Sequence, residues 1–126
     1  MPPSQTLTTE VLTEPHATIV RLKGEARLLV DTLERDLQRV MLARPALVLM
    51  DLSGFSFCSS LGMGALVSFR RGLVQRGGKV VLCALQPGVL EAFKRARLHD
   101  LFQISPTVED AAALATPAPA PAPPVA

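Results

Sequence analysis

Two short segments of the chain are almost entirely apolar, and each is followed by residues whose apolar positions recur at helical spacing. They occupy residues 46–50 and 79–84. Such a run, without polar alternation, is typical of a strand covered on both faces, as the central strands of parallel sheets are. Strands alternating with helices predict an α/β fold, with a mixed or mostly parallel sheet and helices packed against it. The segment 46–50 is expected in the middle of that sheet.

The other elements are predicted from periodicity and from the positions of Gly and Pro. Gly24 is expected to end the second strand, and Pro45 is expected to stop an amphipathic helix that begins at Leu28. The predicted elements are strand 7–13, strand 17–23, helix 28–44, strand 46–50, helix 61–76, strand 79–84, helix 86–97, strand 102–105 and helix 107–115.

The helix at 61–76 has an inner and an outer face. Ser68, Arg71 and Gln75 are expected to face solvent, followed by Arg76 at the helix end. From charge alone this outer face is an ordinary solvated surface, and the basic cluster at 94–97 is interpreted in the same way. The inner face is predicted to hold Met63, Leu66, Val67, Leu73 and Val74.

Length and composition fit one folded domain. The 126 residues include 13 basic and 11 acidic ones, a formal charge of +2, and 48% are hydrophobic, which is sufficient for a core. Only 4% are aromatic, which argues against nucleic-acid binding by base stacking. Five of the 11 prolines lie in residues 116–126. We therefore expect a domain over 5–115 and a disordered Ala/Pro-rich tail over 116–126.

Several functional classes are not expected. No segment approaches the roughly 20 apolar residues of a membrane span, and the first residues do not resemble a signal peptide, so a cytoplasmic protein is expected. Cys58 and Cys83 are interpreted as reduced core thiols, and His16 and His99 as surface residues. Neither pair shows metal-ligand spacing, so no metal or cofactor is expected. Residues 59–64 lack the Gly-x-Ser-x-Gly elbow, so hydrolase activity is not expected.

The most informative segment is the junction between the strand at 46–50 and the helix at 61–76. Ser59 and Ser60 place hydroxyl groups at the predicted helix N-terminus, where free amide hydrogens and the helix dipole favour a negative charge. Two interpretations stay open. One serine caps the helix, a contribution of about 1 kcal/mol, or one serine is a phosphorylation site whose charge changes the surface offered to a partner.

Five segments, in this order, resemble the STAS domain of bacterial anti-sigma-factor antagonists over about residues 5–115. The resemblance implies a STAS-like mixed sheet with about four helices and a protein that binds rather than catalyses. The segments are Gly-Glu at 24–25, Val-Leu-Met-Asp-Leu-Ser at 48–53, Ser-Ser-Leu-Gly-Met-Gly at 59–64, Gly-Gly-Lys-Val-Val-Leu at 77–82 and Leu-His-Asp-Leu-Phe at 98–102.

The resemblance also implies a site. In that family the loop typically reads Asp-Ser-Ser/Thr-Gly-Leu-Gly, and the partner anti-sigma factor, a kinase, phosphorylates the serine after the Asp. Carried over position by position, Ser60 is the implied phosphoacceptor. Ser59, Leu61, Gly62 and Gly64 surround it in the loop and at the helix N-terminus.

Three of the chain's departures from the family pattern are informative. Ser59 stands where the loop Asp is typical, and Arg27 stands where an Asp usually follows Gly-Glu-Leu. An arginine near Ser60 would attract a phosphate or an acidic group of a partner. Arg97 replaces a Gly before the segment 98–102, which implies a different helix end.

The implied function is that of an anti-sigma-factor antagonist. Its unphosphorylated form would bind an anti-sigma factor of the serine-kinase type through Ser68, Arg71, Gln75 and Arg76, and a charge at Ser60 would break that complex. The alternative is a STAS regulatory subunit of a transporter or signalling complex that is not phosphorylated. Neither nucleic acid nor a membrane is expected as a partner, and a weak homodimer is left open.

Overall fold

The computed structural model describes residues 7–15, 17–26 and 31–115. Five strands and four helices alternate in it, which confirms the predicted α/β class. The elements are β1 (Thr8–Thr13), β2 (Thr18–Ala26), α1 (Asp31–Leu42), β3 (Leu47–Cys58), α2 (Ser60–Gln75), β4 (Lys79–Cys83), α3 (Pro87–Arg95), β5 (Gln103–Ser105) and α4 (Val108–Ala115).

The strands form one mixed sheet in the order β1-β2-β3-β4-β5. β1 pairs antiparallel with β2, and the other neighbours pair in parallel. β3 is the middle strand, as the apolar run at 46–50 predicts. Because α1, α2 and α3 each connect two parallel strands, each helix begins at the carboxyl edge of the sheet and ends at the amino edge.

Alternate residues of β3 point into two separate hydrophobic clusters. Val48, Met50 and Leu52 pack with the buried faces of α1, α2 and α3. Leu47 and Leu49 pack instead with Val81, Cys83 and α4. The sheet therefore has three helices on one face and α4 on the other, and both clusters exclude water from β3.

Two strands are longer than the sequence pattern predicts. β2 does not end at Gly24 but continues to Ala26, and β3 continues through polar residues to Cys58. Gly24 has a φ of 107°, and the register between β2 and β3 shifts on either side of it. These irregularities let pairing resume, so that Ala26 lies opposite Cys58. The prediction that Gly24 ends the strand is wrong.

The helices agree with the sequence periodicity except at one position. Leu33, Leu37 and Val40 of α1 are buried, as are Leu66 and Leu73 of α2. Val74 was expected on the inner face of α2 but is 45% exposed. It follows Leu73 by one residue, a rotation of about 100° around the helix, which turns it away from the sheet. The predicted start of the first helix at Leu28 lies outside the described residues.

The C-terminus of α2 and the N-terminus of α4 end in the capping residues that the sequence predicts. Gly77, with a φ of 84°, follows α2 and donates its N–H to the carbonyl of Val74 at 3.0 Å. The Thr107 hydroxyl caps α4 by accepting a hydrogen bond from the Asp110 N–H at 3.0 Å.

A charged cluster lies on the α4 side of the sheet. The Arg21 guanidinium donates a hydrogen bond to Asp51 at 2.9 Å and contacts Glu10 at 3.4 Å. Burial acts to raise the pKa of Asp51, but the hydrogen bonds from Arg21 and from the Ser53 N–H outweigh it and hold that pKa below its ordinary value. The Asp51 carboxylate is therefore stabilised in its charged form.

Candidate functional site at the start of helix α2

The junction between β3 and α2 lies at the carboxyl edge of the sheet, and Ser59 occupies the N-cap of the helix. Its backbone is extended, with a φ of −74° and a ψ of 171°. The Ser59 hydroxyl accepts a hydrogen bond from the Gly62 N–H at 3.2 Å, and its carbonyl accepts one from the Met63 N–H at 2.9 Å. Of the two adjacent serines, Ser59 is therefore the one that caps the helix.

Ser60 is the first residue of α2 and is exposed. Its hydroxyl makes no hydrogen bond to any residue that the structure describes. The first turn of α2 contains no acidic side chain, so the positive end of the helix dipole is not compensated there. Ser60 thus presents a hydroxyl that another molecule can reach, at a place where the fold accommodates negative charge.

Exposed apolar side chains stand close to Ser60 in the chain. Leu61 is 52% exposed, and Phe57, the last residue but one of β3, is 39% exposed. Sequence reasoning missed Phe57, although an aromatic residue between Ser56 and Cys58, directly before the two serines, was a usable signal. Large apolar groups that remain exposed around one polar group are typical of the centre of a protein interface.

Gly64 continues this surface along α2. A Cβ atom at Gly64 would meet no atom within 4 Å, so packing inside the chain does not require a glycine there. Gly62, in contrast, is buried. The missing side chain at Gly64 leaves the helix backbone accessible to a partner.

The outer face of α2 holds the four residues predicted for it. Ser68, Arg71, Gln75 and the C-cap residue Arg76 are all exposed. Together with Leu61 and Gly64, the first three of these residues follow the three- and four-residue spacing of one helix stripe, and Arg76 directly follows its last member. The helix carries no acidic residue, so this stripe, which we call the α2 stripe, is apolar near Ser60 and basic near its other end.

The structure does not bring all predicted site residues together. Arg27 lies outside the described residues, as do His16 and the predicted tail at 116–126. The pairing of Ala26 with Cys58 does show that β2 ends beside the β3–α2 junction.

A buried thiol precedes the two serines of the junction. Burial raises the pKa of the Cys58 thiol to about 12, so this neighbour of Ser59 is a neutral thiol at physiological pH. Within residues 7–15, 17–26 and 31–115, no three His, Cys, Asp or Glu side chains are grouped as metal ligands. His99 contacts Asp100 at 3.4 Å. No helix in the described part of the chain has the length and apolar character to cross a membrane.

Comparison with known proteins adds a family match. Residues 8–111 match the family model described as the STAS domain. No curated protein sequence shows significant similarity to the chain.

Solved structures with the same fold include three informative ones. An anti-sigma factor antagonist from Mycobacterium paratuberculosis has a TM-score of 0.80 at 24% identity, over 90% of this chain and 97% of that one. The Bacillus cell fate determinant SpoIIAA in its phosphorylated form has a TM-score of 0.65 at 19% identity, covering 86% and 98%. A sulfate transporter family protein from Wolinella succinogenes has a TM-score of 0.69 at 16% identity, covering 82% and 88%.

Proposed function

The chain belongs to the STAS domain family, and on this premise we propose that it is an anti-sigma-factor antagonist controlled at Ser60. In the unphosphorylated form it binds an anti-sigma factor of the serine-kinase type and so frees the sigma factor. Phosphorylation of Ser60 by that kinase breaks the complex. The solved structures named as an anti-sigma factor antagonist and as phosphorylated SpoIIAA support the proposal through their shared fold.

The exposure of the Ser60 hydroxyl at the first position of α2 carries this proposal. A kinase must reach the hydroxyl oxygen, which attacks the γ-phosphorus of ATP while the hydroxyl proton leaves to a base of the kinase and ADP departs. Ser60 needs no local unfolding for this step, because its hydroxyl bonds to none of the described residues. Ser59 is half-buried and its oxygen already accepts a hydrogen bond from the helix.

The same geometry accounts for a switch. A phosphate adds a charge of about −1.5 to −2, and the uncompensated N-terminus of α2 stabilises it, so the folded domain tolerates the modification. The neighbouring surface is apolar at Leu61 and Phe57. A partner that covers these side chains would have to remove water from the phosphate as well, which costs several kcal/mol for a charged group. The modification therefore opposes binding.

The α2 stripe is the proposed contact surface. Its apolar end begins next to Ser60, and Arg71 and Arg76 at its other end have no ion-pair partner among the described residues. We infer that the anti-sigma factor places apolar groups over Leu61 and Gly64 and carboxylates near the two arginines.

The phosphorylation step is tested by incubating the full chain with the purified anti-sigma factor of its host and ATP. Mass spectrometry of the peptide spanning residues 59–70 is expected to show one phosphate, on Ser60. Ser60→Ala should carry none, whereas Ser59→Ala should still be modified. No phosphate on wild-type protein, or phosphate on Ser59, would contradict the proposed switch.

A second candidate function keeps the fold without the switch. The chain would be a STAS regulatory subunit of a transporter or signalling complex, which is consistent with Ser59 in place of the Asp typical of antagonists and with the fold of the Wolinella succinogenes protein. Neighbouring genes discriminate the two. A kinase-type anti-sigma factor and a sigma factor indicate the first function, and a transporter operon indicates the second.

A further inference from the structure

The amino edge of the sheet, at the end of α2 remote from Ser60, carries an uncompensated basic cluster. Arg39 lies in the last turn of α1, Arg44 in the following loop, Arg76 at the C-cap of α2 and Lys79 at the start of β4. All four are exposed. None forms an ion pair with the described residues, and we call these four the basic corner.

Backbone and side-chain contacts join the elements that carry the four residues of the basic corner. The Arg76 guanidinium lies 2.8 Å from the Met41 sulfur, which sets it over the last turn of α1. The Lys79 N–H donates to the Ala46 carbonyl at 3.0 Å, so the β4 start is joined to the loop after Arg44. The basic corner is thus a feature of the packed domain and not of one flexible loop.

An apolar groove of about 450 Å³ opens beside the basic corner. Its lining includes Val11, Ala43, Pro45, Ala46 and Leu47, and Arg39 lies on its wall. Leu42, at the end of α1, is 71% exposed next to these residues. The volume falls within the range of roughly 300–1,000 Å³ that is usual for ligand pockets.

Two of the lining residues are charged, Arg39 and, from the β1–β2 turn, Glu14. The other three members of the basic corner lie outside the lining but at the same edge of the sheet, so positive charge predominates there. A ligand with several negative charges and an aliphatic side chain therefore fits this site. Carboxylates match the planar guanidinium groups of three arginines, and an aliphatic side chain fills the groove.

We propose that the basic corner and its groove bind an acidic, leucine-containing segment of a second protein partner, at a site that is remote from Ser60 and shares only Arg76 with the α2 stripe. The two sites lie at opposite ends of α2, about 24 Å apart along a helix of this length. A nucleic-acid backbone has no group that fills an apolar recess, and Phe69, Phe93 and Phe102 are buried and unable to stack on bases. A lipid surface takes up apolar side chains that project from a protein, and it would leave this groove unfilled.

The test uses the full chain labelled with ¹⁵N and a short synthetic peptide of glutamates interrupted by two leucines. Saturable shifts are expected at the amide signals of Ala43, Arg44 and Ala46, with none at Ser60. The same peptide with serine in place of leucine should bind several-fold more weakly, and a lysine version should not bind. Ser60→Asp should leave the peptide affinity unchanged, which separates this site from the proposed switch.

Charge-reversal variants provide a matched control. Arg39→Glu with Lys79→Glu should weaken the peptide by about tenfold or more, whereas Lys23→Glu with Arg35→Glu should stay within about twofold of wild type. All four side chains are exposed, so both double variants are expected to fold, which their circular dichroism spectra check.

Several outcomes of these binding experiments would overturn the proposal. They are shifts that map to the N-terminus of α2, equal weakening by the two double variants, tighter binding of duplex DNA than of the peptide, and tighter binding of phosphatidylserine vesicles. A concentration-dependent dimer of the peptide-free chain, with shifts at Ala43 and Ala46 on dilution, would also overturn it, because a second copy would then occupy the groove.

Discussion

Ser59 and Ser60 are adjacent and chemically identical, yet the fold places their hydroxyl groups in different surroundings. The Ser59 oxygen accepts a hydrogen bond within the first turn of α2, and the Ser60 oxygen faces solvent. The sequence predicts two hydroxyls at a helix start but leaves open which one caps it, because a shift of the helix start by one residue exchanges their roles. The backbone of Ser59 resolves this choice.

Substitution of each serine by alanine distinguishes the capping hydroxyl from the exposed one. Ser59→Ala removes the cap and is expected to lower the free energy of unfolding by about 1 kcal/mol, whereas Ser60→Ala should change it by only a few tenths. Urea denaturation followed by circular dichroism measures both. A loss on Ser60→Ala equal to that on Ser59→Ala would show that the cap has been misassigned.

The charged pair of Asp51 and Arg21 makes stability depend on pH. Because the pKa of Asp51 is lower in the folded than in the unfolded chain, its stabilising effect is full above the unfolded value of about 3.9 and is lost as the pH falls through the folded value. Asp51→Asn should therefore be less stable than wild type at neutral pH, and the difference should shrink below about pH 4. Unfolding curves at pH 7 and at pH 3 measure this, and a constant difference would contradict the assignment.

At the scale of elements, hydrophobic pattern predicts the number, type and order of helices and strands. It fails at the ends of β2 and β3, since Gly24 and the polar residues of 51–56 are typical of loops. Pairing of Phe55 and Phe57 with the end of β2 overrides that local preference. Sequence reasoning likewise placed Val74 on the inner face of α2. Its apolar character alone does not show on which face of the helix it lies.

Gly64 offers a test that separates folding from binding at the level of α2. Gly64→Ala adds a methyl group that meets nothing within 4 Å, and it is expected to raise the free energy of unfolding by up to about 1 kcal/mol through helix propensity. The same methyl group projects from the α2 stripe and should weaken binding of the anti-sigma factor.

Gly78→Ala serves as the contrasting control for that substitution. Its Cβ would lie 2.8 Å from the Pro45 carbonyl oxygen, so this variant should lose stability. Thermal unfolding and calorimetric binding measure both properties. Unchanged binding by a stabilised Gly64→Ala protein would remove this part of α2 from the proposed interface.

At the scale of the whole molecule, the topology explains why one helix carries residues of both proposed surfaces. α2 connects the paired parallel strands β3 and β4, with its inner face buried and its outer face exposed along its length. Its N-terminus lies at the carboxyl edge with Ser60, and its C-terminus lies at the amino edge with the basic corner. The site at Ser60 could be predicted from the sequence, because its residues are consecutive in the chain. The second depends on residues of α1, α2 and β4 that are far apart in the chain, so only the folded structure brings it together.

Calorimetric titration of the host anti-sigma factor with three forms of the chain tests the central claim most directly. The forms are wild type, Ser60→Asp and Thr107→Asp, the last of which adds the same charge at the exposed N-cap of α4 and keeps a capping oxygen there. Ser60→Asp is expected to reduce the affinity by about tenfold or more, and Thr107→Asp should bind like wild type. Wild-type affinity in Ser60→Asp, or an equal loss in both variants, would contradict a switch at the start of α2.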